Sequence, residues 1–419
     1  MTKVKTPAVT VVPADIERVA DDVSTNVLIE RRAEMRTIVL GSLAGANIHQ
    51  LGPPGTGKSL GLRQFCSRIT GGLFVDGEVR EGRYFEKTVH AQMPADALIG
   101  GYDMPRFAQT GEFARNVEHY LPNANFAFID EITRANGPTL DALLPTLNTE
   151  ERLAEANGGM FVTPLMFVVT ASNYMPDPDD PHLGALVDRF TLMQFVDYVR
   201  ADDSFKDMLE RHHARRIGEK DNSLTPETMT LEQFRLAQDQ VNRVRPTPEW
   251  KTAYANLRRD ARGEGLRVSD RRYMELGRVC RASAWLAGRD FLIAEDLAAV
   301  ESGLWRDTDQ IPLAHKLVLP FHGRFEREAA DKTQEAAEPL ARLEAVRPQV
   351  EGTPPNVDID NELLREVLQV SRRIETVKDR VDGVLAEAAK EQRDASGLRD
   401  LSNELAAAQE WMRSQKLGI

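Results

Sequence analysis

Cysteine is nearly absent: Cys66 and Cys280 are the only two in 419 residues, far apart and each within a segment of helical character. They offer neither the clustered spacing of a zinc site nor the paired framework of a disulfide-stapled domain, so buried free thiols are expected. Long apolar runs are missing too. No stretch reaches the roughly 18 apolar residues of a membrane-crossing helix, and the opening MTKVKTPAVTVVPADIERVA lacks the apolar centre of a secretory signal, so the expected location is the cytoplasm. Positive charge is in deficit: 53 Lys and Arg against 65 Asp and Glu give a formal net charge of −12, which repels a polyphosphate backbone and disfavours DNA or RNA as main partner. Glycine and proline, at 28 and 22, are too few to imply widespread disorder. What remains is the composition of an ordinary soluble chain, 42% hydrophobic and 28% charged, long enough for two or three domains with substantial cores.

Four segments are expected. Residues 1–13 read as a loose tail, and 14–199 alternate between strands and helices. In that second segment a polar helix from Ile16 to about Gly45 leads to a short strand, Ile48-His49-Gln50-Leu51. A helix from Lys58, a strand at Phe126 to Ile129, a helix from Pro138, and strands Leu165 to Thr170 and Leu192 to Phe195 follow. Such alternation predicts a parallel sheet covered by helices, with ligands at the carboxyl ends of the strands. Residues 200–310 read as a small helical domain with no convincing strand, broken at Gly218 to Asn222, Arg245-Pro246-Thr247-Pro248 and Gly263-Glu264-Gly265. Residues 311–419 read as a helical tail: a stretch near Pro320 to Val346, a breaker-rich loop at Arg347 to Asp360, a long helix, and a last helix from Leu398 to about Met412. In the long helix Leu363, Val367, Val370, Ile374, Val377, Val381, Val384 and Ala388 alternate spacings of four and three, which makes one apolar seam. That seam suits an intramolecular three-helix bundle or an intermolecular coiled coil.

The chemistry starts at the end of the first strand. Gly52-Pro53-Pro54-Gly55-Thr56-Gly57-Lys58-Ser59, with Leu60 next in the helix, fits G-x-x-x-x-G-K-[ST] directly after an apolar strand and directly before a helix. The glycines let backbone N–H groups turn inward on phosphates at the positive end of the helix. Lys58 can reach the β and γ phosphates, and the Ser59 hydroxyl can serve Mg²⁺. Further on, Phe126-Ala127-Phe128-Ile129-Asp130-Glu131 is an apolar strand ending in two acids. Asp130 is the candidate Mg²⁺ partner and Glu131 the candidate base for an attacking water. After the strand at Leu165, Ala171-Ser172-Asn173 places a polar side chain at a neighbouring strand end, where Asn173 could orient water beside the γ-phosphate. A turn-forming Asn is the plainer alternative.

In combination these motifs resemble the MoxR branch of the AAA+ ATPases, and within it the regulatory ATPase variant A (RavA) group. The carrying residues are LGPPGTGKS at 51–59, YLPNANFAFIDEITRANGPTLDALLPTLN at 120–148, TASN at 170–173, LVDRF at 186–190 and VSDRRYMELGRVCRASAWLAGRD at 268–290. The resemblance spans roughly residues 26–310. It implies an α/β AAA+ P-loop NTPase core, an α-helical lid and a C-terminal helical bundle, using ATP and Mg²⁺ in a homo-hexameric ring. The ring would remodel, mature or activate a protein target, often with a von Willebrand factor A (vWA) domain partner. It also implies that Arg189 is an arginine finger reaching a neighbouring subunit's nucleotide, where a surface salt bridge to Asp188 or a nearby acid is the plainer alternative. Arg271 takes the sensor 2 position of the lid; helix phase alone does not separate it from Arg272. Two pore-side hairpins are implied, at Gly101 to Phe113 and at Glu155 to Pro164 with Gly158-Gly159 at its tip.

The chain departs from RavA-like proteins in carrying only the loop Arg347 to Asp360 where they insert a strand-rich domain, and in Thr149-Glu150-Glu151-Arg152 after Asn148. Two further classes compete with the ring motor: a nucleotide-gated interaction scaffold with slow hydrolysis, and a nucleic-acid motor. The nearly charge-neutral candidate hairpins disfavour the nucleic-acid motor.

Overall fold

In the computed structural model of the chain, residues 10–75, 78–156, 159–175, 181–200, 202–216, 226–351, 361–390 and 396–414 are described. They fall into two compact units, Met1–Val318 and Leu319–Ile419.

The first unit opens with two helices, not the single one expected. α1 (Pro13–Asn26) starts with proline in its first turn and the Asp15 carboxylate accepting from the Val12 N–H at 2.9 Å; Ile16, Val19 and Val23 line its buried face. α2 (Arg32–Ala44) is largely buried. Between them the chain turns at Glu30, whose φ of 56° breaks the helical path, and Leu28 is turned into the core. β1 (Asn47–Leu51) is wholly buried and is followed by α3 (Lys58–Ser67), the short β2 (Ile69–Thr70), the paired β3 (Gly72–Val75) and β4 (Glu78–Glu81), and β5 (Tyr84–Thr88).

After α4 (Asp96–Ile99), the expected first hairpin is instead a short helix, α5 (Met104–Thr110). The sequence gives the reason. Asp103 caps it by accepting from the Arg106 N–H at 3.0 Å, Pro105 suits its first turn, and Gly111 ends it in the left-handed region at φ 73°. An isolated bridge between Tyr102 and Arg115 closes the loop, and the Phe107 and Phe113 rings stack 4.2 Å apart.

β6 (Phe126–Asp130) and α6 (Gly137–Leu143) lead to an antiparallel hairpin, β7 (Leu153–Ala156) and β8 (Gly159–Val162), at the second expected position. Gly159 opens β8, whereas Gly158 lies outside the described residues. β9 (Phe167–Ser172), α7 (Pro181–Val187) and β10 (Leu192–Phe195) complete the sheet. Its order is β10-β1-β9-β6-β5 and every pairing is parallel. The β1, β6 and β9 side chains are buried almost throughout.

The region expected to be purely helical holds α8 (Asp202–Arg216), α9 (Leu231–Arg243), α10 (Pro248–Gly263) and α11 (Asp270–Leu286). It also contributes a short strand, β11 (Met229–Thr230), parallel to β2. The breaks at Arg245 to Pro248 and Gly263 to Gly265 fall between helices; Gly218 to Asn222 lies outside the described residues. α9 and α11 both pack on α2, so this region and the sheet share one unit. The expected boundary at 310 shifts to 318, because beyond α12 (Glu301–Leu304) the helix α13 (Ile311–Val318) packs on α10 and α12. Cys66 and Cys280 are buried and free, and burial raises both thiol pKa values.

The second unit is a bundle of α14 (Arg324–Glu351), α15 (Asn361–Lys390) and α16 (Ser396–Ser414). Of the two fates open to the seam, the intramolecular one holds. Val367, Val370, Ile374, Val377, Val381 and Ala388 are buried against Leu343, Val346 and Val350 of α14 and Leu398, Leu401 and Leu405 of α16. No helix among the described residues is long and apolar enough to cross a membrane.

Candidate nucleotide site

The loop after β1 leaves the sheet between its two neighbours. The Gly52 N–H donates to the Ser172 carbonyl at 3.3 Å, and a Cβ placed on Gly52 would lie 2.0 Å from the Val196 carbonyl oxygen, so no larger residue fits without moving β10. Gly55 and Gly57, at φ 82° and 78°, make the left-handed turns that fold the backbone into a cradle at the amino end of α3.

Lys58 and Ser59 open α3. The Lys58 ammonium donates to the Gly52 carbonyl at 2.7 Å, the Pro53 carbonyl at 3.0 Å and Asn173 Oδ1 at 2.9 Å. Burial lowers its pKa, while Asp130 and Glu131 act the other way. From the far side, Asn173 Nδ2 donates to Glu131 Oε1. Lys58, Asn173 and Glu131 are therefore linked in a continuous polar chain across the ends of β1, β9 and β6.

Glu131 sits just past β6 in the left-handed region, φ 55°, an uncommon setting for a non-glycine residue. The Glu131 N–H donates to Asp130 Oδ1 at 3.0 Å, and Arg134 pairs with Glu131 Oε2 at 3.1 Å. The Ser59 hydroxyl and the Asp130 carboxylate are hard oxygen donors of the kind Mg²⁺ takes alongside phosphate oxygens, so the residues present fit that ion.

Three contributors were not evident from the sequence. Arg31 Nη2 donates to the Asp197 carbonyl and to the Thr56 carbonyl at 3.4 Å, tying the loop tip to the exit of β10. The exposed Tyr198 puts its hydroxyl 3.4 Å from the Pro54 carbonyl. Behind the cradle, the fully buried His49 bonds Thr170 through Nδ1 at 2.8 Å and Ser172, the neighbour of Asn173, through Nε2 at 2.9 Å. Its ring stacks on Phe190, centroids 4.5 Å apart. The only sequence signal for it was a polar residue in the middle of an otherwise buried strand.

Arg189 and Arg271 are not part of this cluster. The Arg189 carbonyl accepts from Asn47 Nδ2 at 3.0 Å, at the amino end of β1, whereas the cradle follows its carboxyl end. At roughly 3.3 Å per strand residue, Arg189 lies about 15 Å from the phosphate loop of its own chain. Its guanidinium donates to the carbonyls of Leu144 at 3.4 Å and Ala185 at 3.1 Å. The alternative salt bridge to Asp188 does not form; Asp188 pairs with Arg306 at 3.2 Å. Burial and the nearby Arg271 hold the Arg189 pKa below the usual arginine range, with Asp188 and Glu275 opposing. The two residues that helix phase left open differ in setting: Arg272 is fully buried and donates to the Val187 carbonyl at 2.5 Å, whereas Arg271 is half-buried beside Arg189.

A parallel five-stranded sheet of this order, with a phosphate cradle after its second strand in space and helices following it, defines the chain as an AAA+ nucleotide-binding protein. Similarity to known proteins narrows the class. Residues 15–236 match the family described as the MoxR domain in the MoxR-vWA-beta-propeller ternary systems, and residues 252–318 match an AAA lid domain. The chain belongs to the MoxR family of AAA+ ATPases. It is 26% identical over 321 residues to an uncharacterised protein of Methanocaldococcus jannaschii, covering 76% of this chain and 77% of that one. A second protein of that organism is 26% identical over 296 residues, covering 70% and 72%. The fold is also similar to that of a crystal structure of an inferred ATPase from Cytophaga hutchinsonii, at a TM-score of 0.54 and 18% identity over 74% of this chain and 93% of the other.

Proposed function

We propose that this chain hydrolyses ATP within a homo-hexameric ring and uses the cycle to remodel, mature or activate a protein target, together with a vWA-domain partner. The observation that carries the hydrolytic reading is the chain of contacts from Lys58 through Asn173 to Glu131. A cation, an amide and a carboxylate joined beside the cradle support a site that holds and hydrolyses a γ-phosphate there.

In the reaction, water attacks the γ-phosphorus, the bond to the β–γ bridging oxygen breaks, and ADP and inorganic phosphate leave. Glu131 takes the water's proton on its carboxylate, Asn173 orients the water, and Lys58 offsets charge on the phosphate oxygens. Mg²⁺, held through Ser59 and Asp130, would supply further charge neutralisation at the phosphates. Arg189 is too far from its own loop to take part there, which supports service to a neighbouring copy's nucleotide, with Arg271 beside it as the sensor 2 residue. Arginines acting in this way speed hydrolysis by about 10³ to 10⁵.

The described family supports a vWA partner and adds a β-propeller component. The closer RavA grouping rests on the sequence motifs alone. A protein target is favoured over nucleic acid by the hairpin β7–β8, which exposes Met160 and Val162. The test is ATP turnover against protein concentration for wild type, Glu131→Gln and Arg189→Ala, with mass photometry in ATP. Turnover should rise with ring formation and fall about 10²-fold or more in both variants, while Glu131→Gln still binds ATP. Unchanged turnover of Arg189→Ala in assembled rings would remove the trans-acting role. ATP binding without wild-type hydrolysis would favour the nucleotide-gated scaffold.

A further inference from the structure

The segment Val187–Thr191, with Arg189 at its centre, is gripped from both ends by residues of the lid. On one side Arg272 donates to the Val187 carbonyl at 2.5 Å and Arg306 pairs with Asp188 at 3.2 Å. On the other, the Thr191 hydroxyl donates to Glu275 Oε2 at 2.6 Å, and Gly303 approaches so closely that a Cβ there would lie 2.8 Å from the Thr191 carbonyl oxygen. The second Glu275 oxygen accepts from the Thr149 hydroxyl, and Arg278 donates to the Thr149 carbonyl at 3.2 Å.

Glu275 is a carboxylate only 4% exposed, in the middle of α11. A buried carboxylate needs partners for both oxygens, and two threonine hydroxyls from the sheet side provide them. Its charge also acts on four guanidinium groups, Arg152, Arg189, Arg272 and Arg278. Even with that help, burial draws Arg152 down to about 9 and Arg272 to about 10. Arg271 precedes Glu275 by four residues, one helical turn along the same face of α11.

We propose that Glu275 is a positioning residue for the arginine pair: it seats α11 on the 187–191 segment so that Arg189 and Arg271 are presented together to the neighbouring copy's nucleotide. The inference rests on the trans-acting reading of Arg189 given above. Glu275 touches no nucleotide itself. Because lid residues hold both ends of the segment, a lid that shifts in one copy carries Arg189 with it, and the nucleotide state of one site reaches the next through this junction.

Glu275→Gln retains the shape and removes the charge. Misplacing a catalytic group by about 1 Å costs about 10²-fold, so ring turnover should fall by that order at unchanged KM for ATP. The deciding measurement is complementation in mixed rings. A Glu275→Gln copy keeps an intact cradle and a Glu131→Gln copy keeps an intact arginine pair, so mixing them should raise turnover above the sum of the separate variants. Arg189→Ala mixed with Glu131→Gln is the reference. If that reference complements and the Glu275→Gln mixture does not, the defect lies in its own site and the inference is overturned. If the reference itself fails to complement, the trans-acting reading falls, a separate and recognisable result. Thr191→Val, which keeps the carboxylate and removes one of its two hydroxyl partners, should show the same pattern at smaller amplitude. Should Glu275→Gln not assemble, Thr191→Val decides: lost turnover without complementation overturns the assignment.

Discussion

Lowering the pH should weaken the first unit through one residue behind the phosphate cradle. His49 is fully buried, and both ring nitrogens have hydroxyl partners that suit a neutral ring: Nε2–H meets the Ser172 oxygen, whose own hydrogen goes to the Tyr174 carbonyl at 2.8 Å, and Nδ1 faces the Thr170 hydroxyl, which it shares with the Ile48 carbonyl at 3.3 Å. Burial, with a smaller contribution from Lys58, lowers its pKa from 6.5 to about 3. The native state therefore binds fewer protons than the unfolded chain. The stabilisation is complete above 6.5 and is lost as pH falls towards 3. At pH 5 the ring is about 1.5 pH units below its unfolded value, and at about 1.36 kcal/mol per unit the loss is about 2 kcal/mol. Thermal unfolding of wild type and His49→Gln, each in matched buffers from pH 7.5 to 5, isolates this term because other titrating groups are common to both. The wild-type advantage should shrink by a few degrees, at about 2 °C per kcal/mol for a unit of this size. Parallel pH curves, or a His49 resonance titrating near its free value, would refute the reasoning.

Two further outcomes test packing. Gly52→Ala forces a methyl against the Val196 carbonyl, a 2.0 Å approach, so the loop or β10 must shift; calorimetry should find ATP affinity reduced about tenfold or more, as overpacking of about 1–3 kcal/mol implies. Ile374→Ala empties the centre of the α14–α16 bundle and should destabilise it by about 2–5 kcal/mol, read as faster proteolysis of the second unit while ATP binding by the first is retained.

The candidate nucleotide site was legible where its residues are contiguous. Lys58, Asp130, Glu131 and Asn173 each sit at the end of an apolar strand or at the loop that follows one, so local sequence marks them, and the fold joins Lys58, Asn173 and Glu131 by hydrogen bonds. Residues whose placement depends on distant segments were not legible. Arg31 and Tyr198 meet the loop tip only because the turn before α2 and the exit of β10 converge there. Glu275 looked like one more polar residue of a lid helix until two threonines from other elements closed on it. The edge strand β5 escaped notice because Tyr84-Phe85-Glu86-Lys87-Thr88 is half-solvated and has neither the apolar run nor the clean alternation of its neighbours. The helix at Met104–Thr110 was hidden by a resemblance that implied a hairpin, although Asp103, Pro105 and Gly111 spelled out its start and stop.

β1 carries three buried polar side chains, and each fastens it to something different: Asn47 to the Arg189 carbonyl, His49 to Ser172, and Gln50 to Gln194 at 2.9 Å. The strand acts as a ruler. Its five residues separate the pocket that a copy owns from the arginine that, in the proposed ring, it lends to the next copy. Asn47 is thus the point at which a shift of the 187–191 segment would be felt by the strand that carries the cradle at its other end.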